Sequence, residues 1–307
     1  MNAWEPLAAG DDLDAVDAEA PFVVSRPPTG TPASPLVFAS PHSGRIYPAP
    51  MMAASHLDGS AIRRSEDAFV DRLIEAGPAF GVSVIAARLA RVWLDVNREA
   101  WELDPTMFED ELPLYARGGG ARVAAGLGAI ARIVREGEEI YARKLSFADA
   151  RARVEAVHRP YHQSLAALVE AARERHGVAI LIDWHSMPAA AARQARTGGG
   201  GAGGGAGCDM VLGDRFGAAC SPGVPRLVER VLTDLGYAVA RNAPYAGGYT
   251  TEHYGRPARR VHALQIEVSR ALYLDEAAMV PAAGFAPLKA DLERLFAALA
   301  AADWTRL

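Results

Sequence analysis

The sequence has few of the features that mark a secreted, membrane-bound or nucleic-acid-binding protein. Its 307 residues include two cysteines, Cys208 and Cys220, a number too small for a disulfide framework or a zinc ribbon. No apolar run approaches the ~20 residues that a membrane helix needs, and the acidic N-terminal segment lacks the pattern of a signal peptide. The net charge is −5, and Lys and Arg form no cluster. We therefore expect a cytoplasmic protein that binds neither nucleic acid nor membrane, and the sequence gives no signal for its oligomeric state.

Short apolar runs alternate with amphipathic segments, which predicts an α/β fold. Three runs are predicted to be strands buried on both faces, namely PLVFAS (35–40), GVAILIDW (177–184) and HALQIEV (262–268). Strands that alternate with helices are typical of a mainly parallel sheet covered on both sides. We predict a single three-layer domain over residues 35–307, with a mixed, mainly parallel sheet.

The remaining segments give less regular signals. Residues 1–34 are predicted to be a surface arm with one short strand at Phe22–Ser25. Further strands are predicted at 81–87 and 91–96, and helical segments at 60–81 and at 121–176, the latter with a break near His158–Pro160. The glycine run at 197–207 has no GKS or GKT after it. We therefore interpret it as a flap over the site or as a linker, not as a phosphate loop.

Polar residues follow several of the predicted strands. His42 comes after the first buried strand, and Asn97 and Arg98 come after the strand predicted at 91–96. His185 follows the run at 177–184, and Glu267 lies near the end of the last buried strand. Because ligands bind outside the carboxyl ends of strands in open α/β sheets, we expect these side chains to converge at one edge of the sheet.

The two histidines suggest a metal site. Histidine at a strand end becomes a metal ligand when a carboxylate completes the set. That carboxylate is expected on the helix predicted after His42, where Glu66 and Asp67 are adjacent, and the residues alone leave both open. Asp183 is expected to orient His185, since ligating imidazoles donate their other N–H to a carboxylate or carbonyl. The alternative for His42 is a turn histidine that bonds to backbone.

A metal-activated water is the nucleophile that the sequence favours, because there is no GxSxG serine elbow. Glu267 is the expected general base for that water, and an ion pair with a nearby arginine is its alternative role. Arg98 matches a substrate carboxylate through its guanidinium fork, and Arg45 is the expected second anion-binding or oxyanion-stabilising arginine. Tyr249 and Thr250, in a Gly-rich loop, are expected to line the substrate.

Seven motifs together resemble the N-formylglutamate amidohydrolase family. They are PHSGRIYP (41–48), EDAFVDRL (66–73), DVNRE (95–99), DWHSMP (183–188), VLGDRFGAACSP (211–222), NAPYAGGYTTEHYGRP (242–257) and HALQIEVSRALYLDE (262–276). The resemblance covers about residues 36–280 with the motifs in order, which makes it more specific than any one motif. It implies a fold like those of the zinc carboxypeptidases and aspartoacylases.

The resemblance also implies roles for site residues. One Zn²⁺ ion would be held by His42, His185 and an acidic residue, and we choose Asp67 over Glu66 because the family pattern emphasises an aspartate there. The acid lies more than twenty residues after His42, whereas zinc carboxypeptidases use a compact His-x-x-Glu. Asn97 and Arg98 would hold a substrate carboxylate, and Glu267 would act as base.

The implied reaction converts N-formyl-L-glutamate and water into formate and L-glutamate, a step in histidine degradation. The expected partner is therefore a small anionic N-acyl amino acid. Two alternatives remain open at this point. One is hydrolysis of another N-acyl or N-formyl amino acid, and the other is a non-catalytic dicarboxylate-binding protein on the same fold.

Overall fold

A seven-stranded sheet forms the middle layer of the protein, and helices cover both of its faces. The computed structural model describes residues 20–116, 118–135, 137–195 and 207–307. The strands of the main sheet are β1 (Phe22–Ser25), β2 (Leu36–Ser40), β3 (Ser83–Ala87), β6 (Ala179–Met187), β7 (Met210–Gly213), β8 (Val239–Arg241) and β9 (Val261–Ser269). Two small antiparallel pairs lie outside it, β4 (Ile133–Arg135) with β5 (Glu138–Glu139) and β10 (Leu274–Asp275) with β11 (Val280–Pro281).

The order of strands across the main sheet is β1-β3-β2-β6-β9-β7-β8. The central strands β3, β2, β6 and β9 are parallel to one another, whereas β1 and β7 are antiparallel to their neighbours β3 and β9. The predicted mixed, mainly parallel sheet is confirmed. Its parallel centre brings the carboxyl ends of β2, β6 and β9 to the same edge.

Ten α-helices are present in the described part of the chain. They are α1 (Ala49–Ala53), α2 (Gly59–Ile62), α3 (Val70–Leu73), α4 (Ala121–Ala124), α5 (Phe147–Arg153), α6 (Arg159–His176), α7 (Ala189–Gln194), α8 (Gly223–Asp234), α9 (Tyr249–Tyr254) and α10 (Phe285–Ala300). Of these described helices, none has the length and apolar character needed to cross a bilayer.

Each face of the sheet has its own apolar core. Side chains alternate between the two faces along a strand. In β6, Ile182 and Trp184 pack into the core formed with α3, α8 and α10, whereas Leu181 packs into the core formed with α5 and α6. Asp183 and His185 therefore extend on the side of α5 and α6. All nine residues of β6 are buried, so these two polar groups need partners inside the protein.

The strand predicted at 91–96 is wrong. The edge of β3, the strand that directly precedes this segment, is already occupied by β1, so the segment cannot pair beside β3. Its backbone bonds to other loops instead, and Asp95 N–H donates to the carbonyl of Ala129 at 2.8 Å. Residues 91–98 thus reach the sheet edge as an irregular segment.

The long helices predicted at 60–81 and 121–176 are also interrupted. In the first, the backbone of Glu66 is extended and Phe69 is left-handed (φ 62°), so a continuous helix cannot pass and only α2 and α3 form. In the second, α4 and the β4–β5 pair precede α5. The break predicted near His158 corresponds to a π-helical turn, Val154–His158, that joins α5 to α6.

The described part of the predicted arm joins the main sheet. The strand predicted at Phe22–Ser25 is confirmed as β1, at the edge of the sheet. Residues 1–19 of the arm and 197–206 of the glycine run lie outside the described residues. Cys208 and Cys220 are both free and buried.

Gly44 allows the chain after β2 to pass against the backbone that follows β3. A Cβ at Gly44 would overlap the carbonyl group of Leu89. Two hydrogen bonds of 2.9 Å fix this close approach, from Ile46 N–H to the Arg88 carbonyl and from Ala90 N–H to the Ile46 carbonyl. The glycine therefore sets the path of the turn that carries His42.

We expect Gly44→Ala to lower the free energy of unfolding by about 1–3 kcal/mol, because the added methyl group must displace backbone. Urea denaturation measures this change. Gly119→Ala is the matched control, since no heavy atom of the described residues lies within 4 Å of a Cβ there. Its effect should stay within about 0.5 kcal/mol, and equal losses in the two variants would contradict the close-packing explanation.

Candidate active site

Three buried side chains converge at the carboxyl edge of the sheet. His42 follows β2, His185 is in β6, and Asp67 lies between α2 and α3. One potential ligand atom from each lies within 4.8 Å of the other two. Asp67 Oδ2 is 3.0 Å from Nδ1 of His185 and 3.4 Å from Nδ1 of His42. The backbone also joins them, since Asp67 N–H donates to the His42 carbonyl at 3.0 Å.

Each imidazole meets a carboxylate on its far side. His42 Nε2 lies 2.7 Å from Oδ1 of Asp95, and His185 Nε2 lies 3.1 Å from Oδ2 of Asp183. At His42, a proton held on Nε2 by Asp95 leaves the Nδ1 lone pair free to bind a metal ion, which is how ligating histidines are usually oriented. His42 Nδ1 is buried and has no hydrogen-bond partner among the described residues. This orphaned nitrogen and the His-Asp-His donor set fit a divalent metal ion such as Zn²⁺.

The surrounding charges keep the carboxylates ionised. Burial alone would raise the pKa of Asp67, but His185 and His42 beside it hold that pKa well below the ordinary value. Burial likewise opposes ionisation of Asp95, and the charge of Arg91, followed by that of His42, holds its pKa well below the ordinary value. Both groups are therefore anionic at neutral pH, which favours a cation between the histidines.

The adjacent acids Glu66 and Asp67 point in different directions. Glu66 accepts hydrogen bonds from the Tyr47 hydroxyl at 2.6 Å and from Arg63 Nε at 3.0 Å, away from the histidines. Asp67 presents Oδ2 to the histidines, and its Oδ1 is 3.1 Å from Nη2 of Arg270. The extended backbone at Glu66 separates the two side chains. The structure thus brings Asp67, and not Glu66, into the cluster.

Glu267 approaches the same edge from β9. Its register partner in β6 is His185, and it lines the cavity at the end of the sheet. Gln265 Nε2 donates to Glu267 Oε1 at 2.8 Å. Burial raises the pKa of Glu267 to about 7; the charge of Asp67 adds to this, while the charge of His185 opposes it. A carboxyl group with such a pKa can take up and release a proton near neutral pH.

The irregular segment 94–98 joins the histidines to the cavity wall. Asn97 Nδ2 lies 3.1 Å from His185 Nε2, and its Oδ1 accepts a hydrogen bond from Thr250 N–H at 2.7 Å. Two further histidines on the α5–α6 side fix the backbone: Nε2 of His158 lies 2.9 Å from the Arg98 carbonyl, and Nε2 of His162 lies 2.8 Å from the Val96 carbonyl.

Sequence reasoning missed Asp95, His158 and His162. Asp95 stands two residues before Asn97 in DVNRE, and that proximity was a usable signal. The two helical histidines carried no such signal. Their role follows only from the tertiary packing, which places them against the backbone carbonyls of segment 94–98.

A cavity of about 530 Å³ opens in front of the cluster. Its size is within the range of sites for small molecules. Its lining includes His42, Asp67, His185, Glu267 and Arg98.

Three of the residues predicted to contact the substrate do not line this cavity. Arg45 forms an ion pair of 3.1 Å with Asp71, and that partner occupies the guanidinium group expected to bind substrate. Tyr249 packs against His253, and buried Thr250 acts through its backbone N–H on Asn97. The turn from Pro244 to Gly248, earlier in the same loop, lines the cavity instead.

Comparisons of the sequence with a family model and with known proteins agree on one family. The model of the family described as N-formylglutamate amidohydrolase matches residues 34–274. A protein named N-formylglutamate deformylase from Pseudomonas putida is 28% identical over 246 residues, covering 79% of this chain and 82% of that protein. A protein of the same name from Pseudomonas aeruginosa is 29% identical over 248 residues, covering 80% and 84%.

Solved structures agree with the sequence comparisons. The crystal structure of an N-formylglutamate amidohydrolase from Ralstonia eutropha JMP134 superposes with a TM-score of 0.84 at 39% identity, covering 92% of this chain and 97% of that one. A gene product of Agrobacterium tumefaciens superposes with a TM-score of 0.58 at 15% identity, covering 91% and 93%, and shows the shared fold alone.

The two adjacent acids allow a matched test of the metal site. We expect Asp67→Asn to weaken Zn²⁺ binding by at least about tenfold, because an anionic ligand is lost. Glu66→Gln should leave the Zn²⁺ affinity within about threefold, because Glu66 contacts Arg63 and Tyr47 and no histidine of the cluster. Calorimetric titration with zinc gives both affinities. A larger loss in Glu66→Gln would exclude Asp67 as the acidic ligand.

Proposed function

Because the chain belongs to the N-formylglutamate amidohydrolase family, we propose that it hydrolyses N-formyl-L-glutamate to formate and L-glutamate with the help of a divalent metal ion. The observation that carries the metal-dependent form of this reaction is the buried His42–Asp67–His185 cluster beside Glu267. In the reaction, a water oxygen bonds to the formyl carbon and the C–N bond of the amide breaks.

His42, Asp67 and His185 would hold the metal ion, and Zn²⁺ is the ion that this donor set fits best. When bound, such an ion lowers the pKa of water and polarises a carbonyl group. Asp95 would keep Nδ1 of His42 directed at it, and Asn97 together with the nearby carboxylate of Asp183 would orient the ring of His185. Arg270 holds the second oxygen of Asp67, so the carboxylate keeps a fixed orientation.

Glu267 would act as the proton carrier. It takes a proton from the attacking water and passes it to the amide nitrogen as the C–N bond breaks, so the proton balance closes within one turnover. Its raised pKa suits both steps, and the hydrogen bond from Gln265 fixes its position. Glu267 contacts neither Arg98 nor Arg270 in an ion pair within the described chain, which supports this role over a structural one.

Arg98 would bind the carboxylate next to the scissile amide. Its Nε donates to the Leu127 carbonyl at 2.9 Å and its Nη1 to the Asn97 carbonyl at 2.8 Å, which fixes the guanidinium plane. Its Nη2 is 3.9 Å from Asp95 and remains available to a ligand. Asn97, expected to share this carboxylate, has its amide turned toward His185 and Thr250. We propose that it positions His185 and this loop.

Location and pathway are further parts of the proposal. Two buried free cysteines suit a reducing cytoplasm. Histidine degradation is the pathway that membership of the family suggests.

We expect the purified protein to release formate from N-formyl-L-glutamate, to stop when a chelator removes the metal, and to recover on addition of Zn²⁺. A coupled formate assay measures each step. N-acetyl-L-glutamate and N-formyl-L-methionine test the alternative substrates in parallel. Turnover that survives complete metal removal would exclude the metal-dependent mechanism, and zinc-loaded protein without formate release would exclude this substrate.

We expect Glu267→Gln to lower kcat at least about 100-fold, because the isosteric amide cannot accept the water proton. Zinc content should remain that of the wild type, since Glu267 is not one of the three ligands. Rapid-quench formate assays and metal analysis of the same sample give both values. Undiminished kcat in this variant would rule out Glu267 as base.

A further inference from the structure

Six arginines among the described residues line the cavity. Four of them are neutralised by carboxylates, in the pairs Arg64–Glu138 (2.9 Å), Arg91–Asp95 (2.7 Å), Arg215–Glu252 (2.9 Å) and Arg270–Asp67 (3.1 Å). A guanidinium group held this closely by a carboxylate offers little net charge to a ligand. The charge available to an anionic substrate must therefore come from the other two.

The other two cavity arginines are Arg98 and Arg122. Arg98 has no carboxylate closer than 3.9 Å, and the side chain of Arg122 forms no hydrogen bond or ion pair within the described chain. Arg122 is half-buried, in α4, whereas Arg98 is buried. An arginine without an intramolecular partner can bind an anionic ligand without first breaking an ion pair.

A short hydrogen-bonded path connects these two arginines. Arg98 Nε donates to the carbonyl of Leu127 at 2.9 Å, and Leu127 N–H donates to the carbonyl of Arg122 at 2.8 Å. Leu127 also lines the cavity. The turn from Arg122 to Leu127 is thus tied to Arg98, and the two guanidinium groups enter one cavity from a common wall.

The electrostatics of Arg98 agree with this arrangement. Burial is the main cause that lowers the pKa of Arg98; Asp95 opposes it, and the positive charges of Arg91 and Arg122 add to it. Glu102 is near enough to attract both Arg98 and Arg122, but it forms no ion pair with either in the described structure. The wall therefore keeps an excess of positive charge that a ligand with two carboxylates would balance.

We propose that Arg122 binds the side-chain carboxylate of the substrate while Arg98 binds the carboxylate on the α-carbon. The assignment rests on the proposed function. The α-carboxylate is the nearer one to the formyl carbon, and of these two arginines Arg98 is the one that approaches Asp95, the carboxylate that contacts His42. The side-chain carboxylate lies two methylene groups further out, toward half-exposed Arg122. Arg122 thus takes the role that the sequence suggested for Arg45.

The test compares N-formyl-L-glutamate with N-formyl-L-glutamine, which differ only in the charge of the side chain. In Arg122→Gln, kcat/KM for N-formyl-L-glutamate should fall about 10–100-fold, because a charge-assisted hydrogen bond is lost. The value for N-formyl-L-glutamine should change by less than about threefold, since its uncharged amide loses no ionic partner. Arg122→Lys should recover part of the preference, because it restores the charge without the planar fork.

Arg215→Gln is the matched control, because Arg215 lines the same cavity but is already paired with Glu252. It should lower kcat/KM for both substrates by the same factor and leave their ratio unchanged. If Arg122→Gln lowered kcat/KM by the same factor for both substrates, so that the ratio of the two values did not change, the assignment would be overturned.

Binding of the amino acid product separates this inference from the proposed function. Zinc-loaded wild-type protein should bind L-glutamate more tightly than L-glutamine by calorimetry, and Arg122→Gln should remove that difference. A protein that shows this preference but releases no formate would disprove the reaction and leave the role of Arg122 standing. Formate release with equal binding of both amino acids, and equal kcat/KM for both substrates, would disprove the role of Arg122 alone.

Discussion

The arrangement at the sheet edge depends on one buried carboxylate, Asp67. It is 2% exposed and contacts His42, His185 and Arg270, which come from three distant parts of the chain. Burying a charge without partners is strongly unfavourable, and removal of one partner from a buried ion pair costs ~3–5 kcal/mol. Asp67 therefore joins β2, β6 and the segment after β9 by the same contacts that place its carboxylate beside the two histidines.

The part of the site on regular strands was predictable from the sequence. Parallel strands end at one edge, so the positions of His42, His185 and Glu267 at the ends of apolar runs were sufficient to bring them together. Asp183 followed from its place two residues before His185 on the same face of β6. These inferences needed only strand periodicity and the parallel order.

The part of the site on irregular segments was not predictable in this way. The apolar residues at 91–96 have the composition of a strand, but β1 had already taken the edge that such a strand would need. Arg45 was expected to bind a substrate anion, but it forms an ion pair with Asp71 instead. Both outcomes depend on tertiary neighbours, and the local composition contains no information about them.

The residues of the site are spread along most of the sequence, from His42 to Arg270. The order in which the ribosome makes them therefore limits when the site can form. β9 is inserted between β6 and β7, although β7 precedes it in the chain, so the sheet stays open at its centre until residues beyond Ser269 leave the ribosome. Until then His185 lacks its neighbour Glu267, and Asp67 lacks Arg270. The cavity is therefore completed only late in synthesis, and a chain that ends before β9 would expose two unpaired strand edges to aggregation.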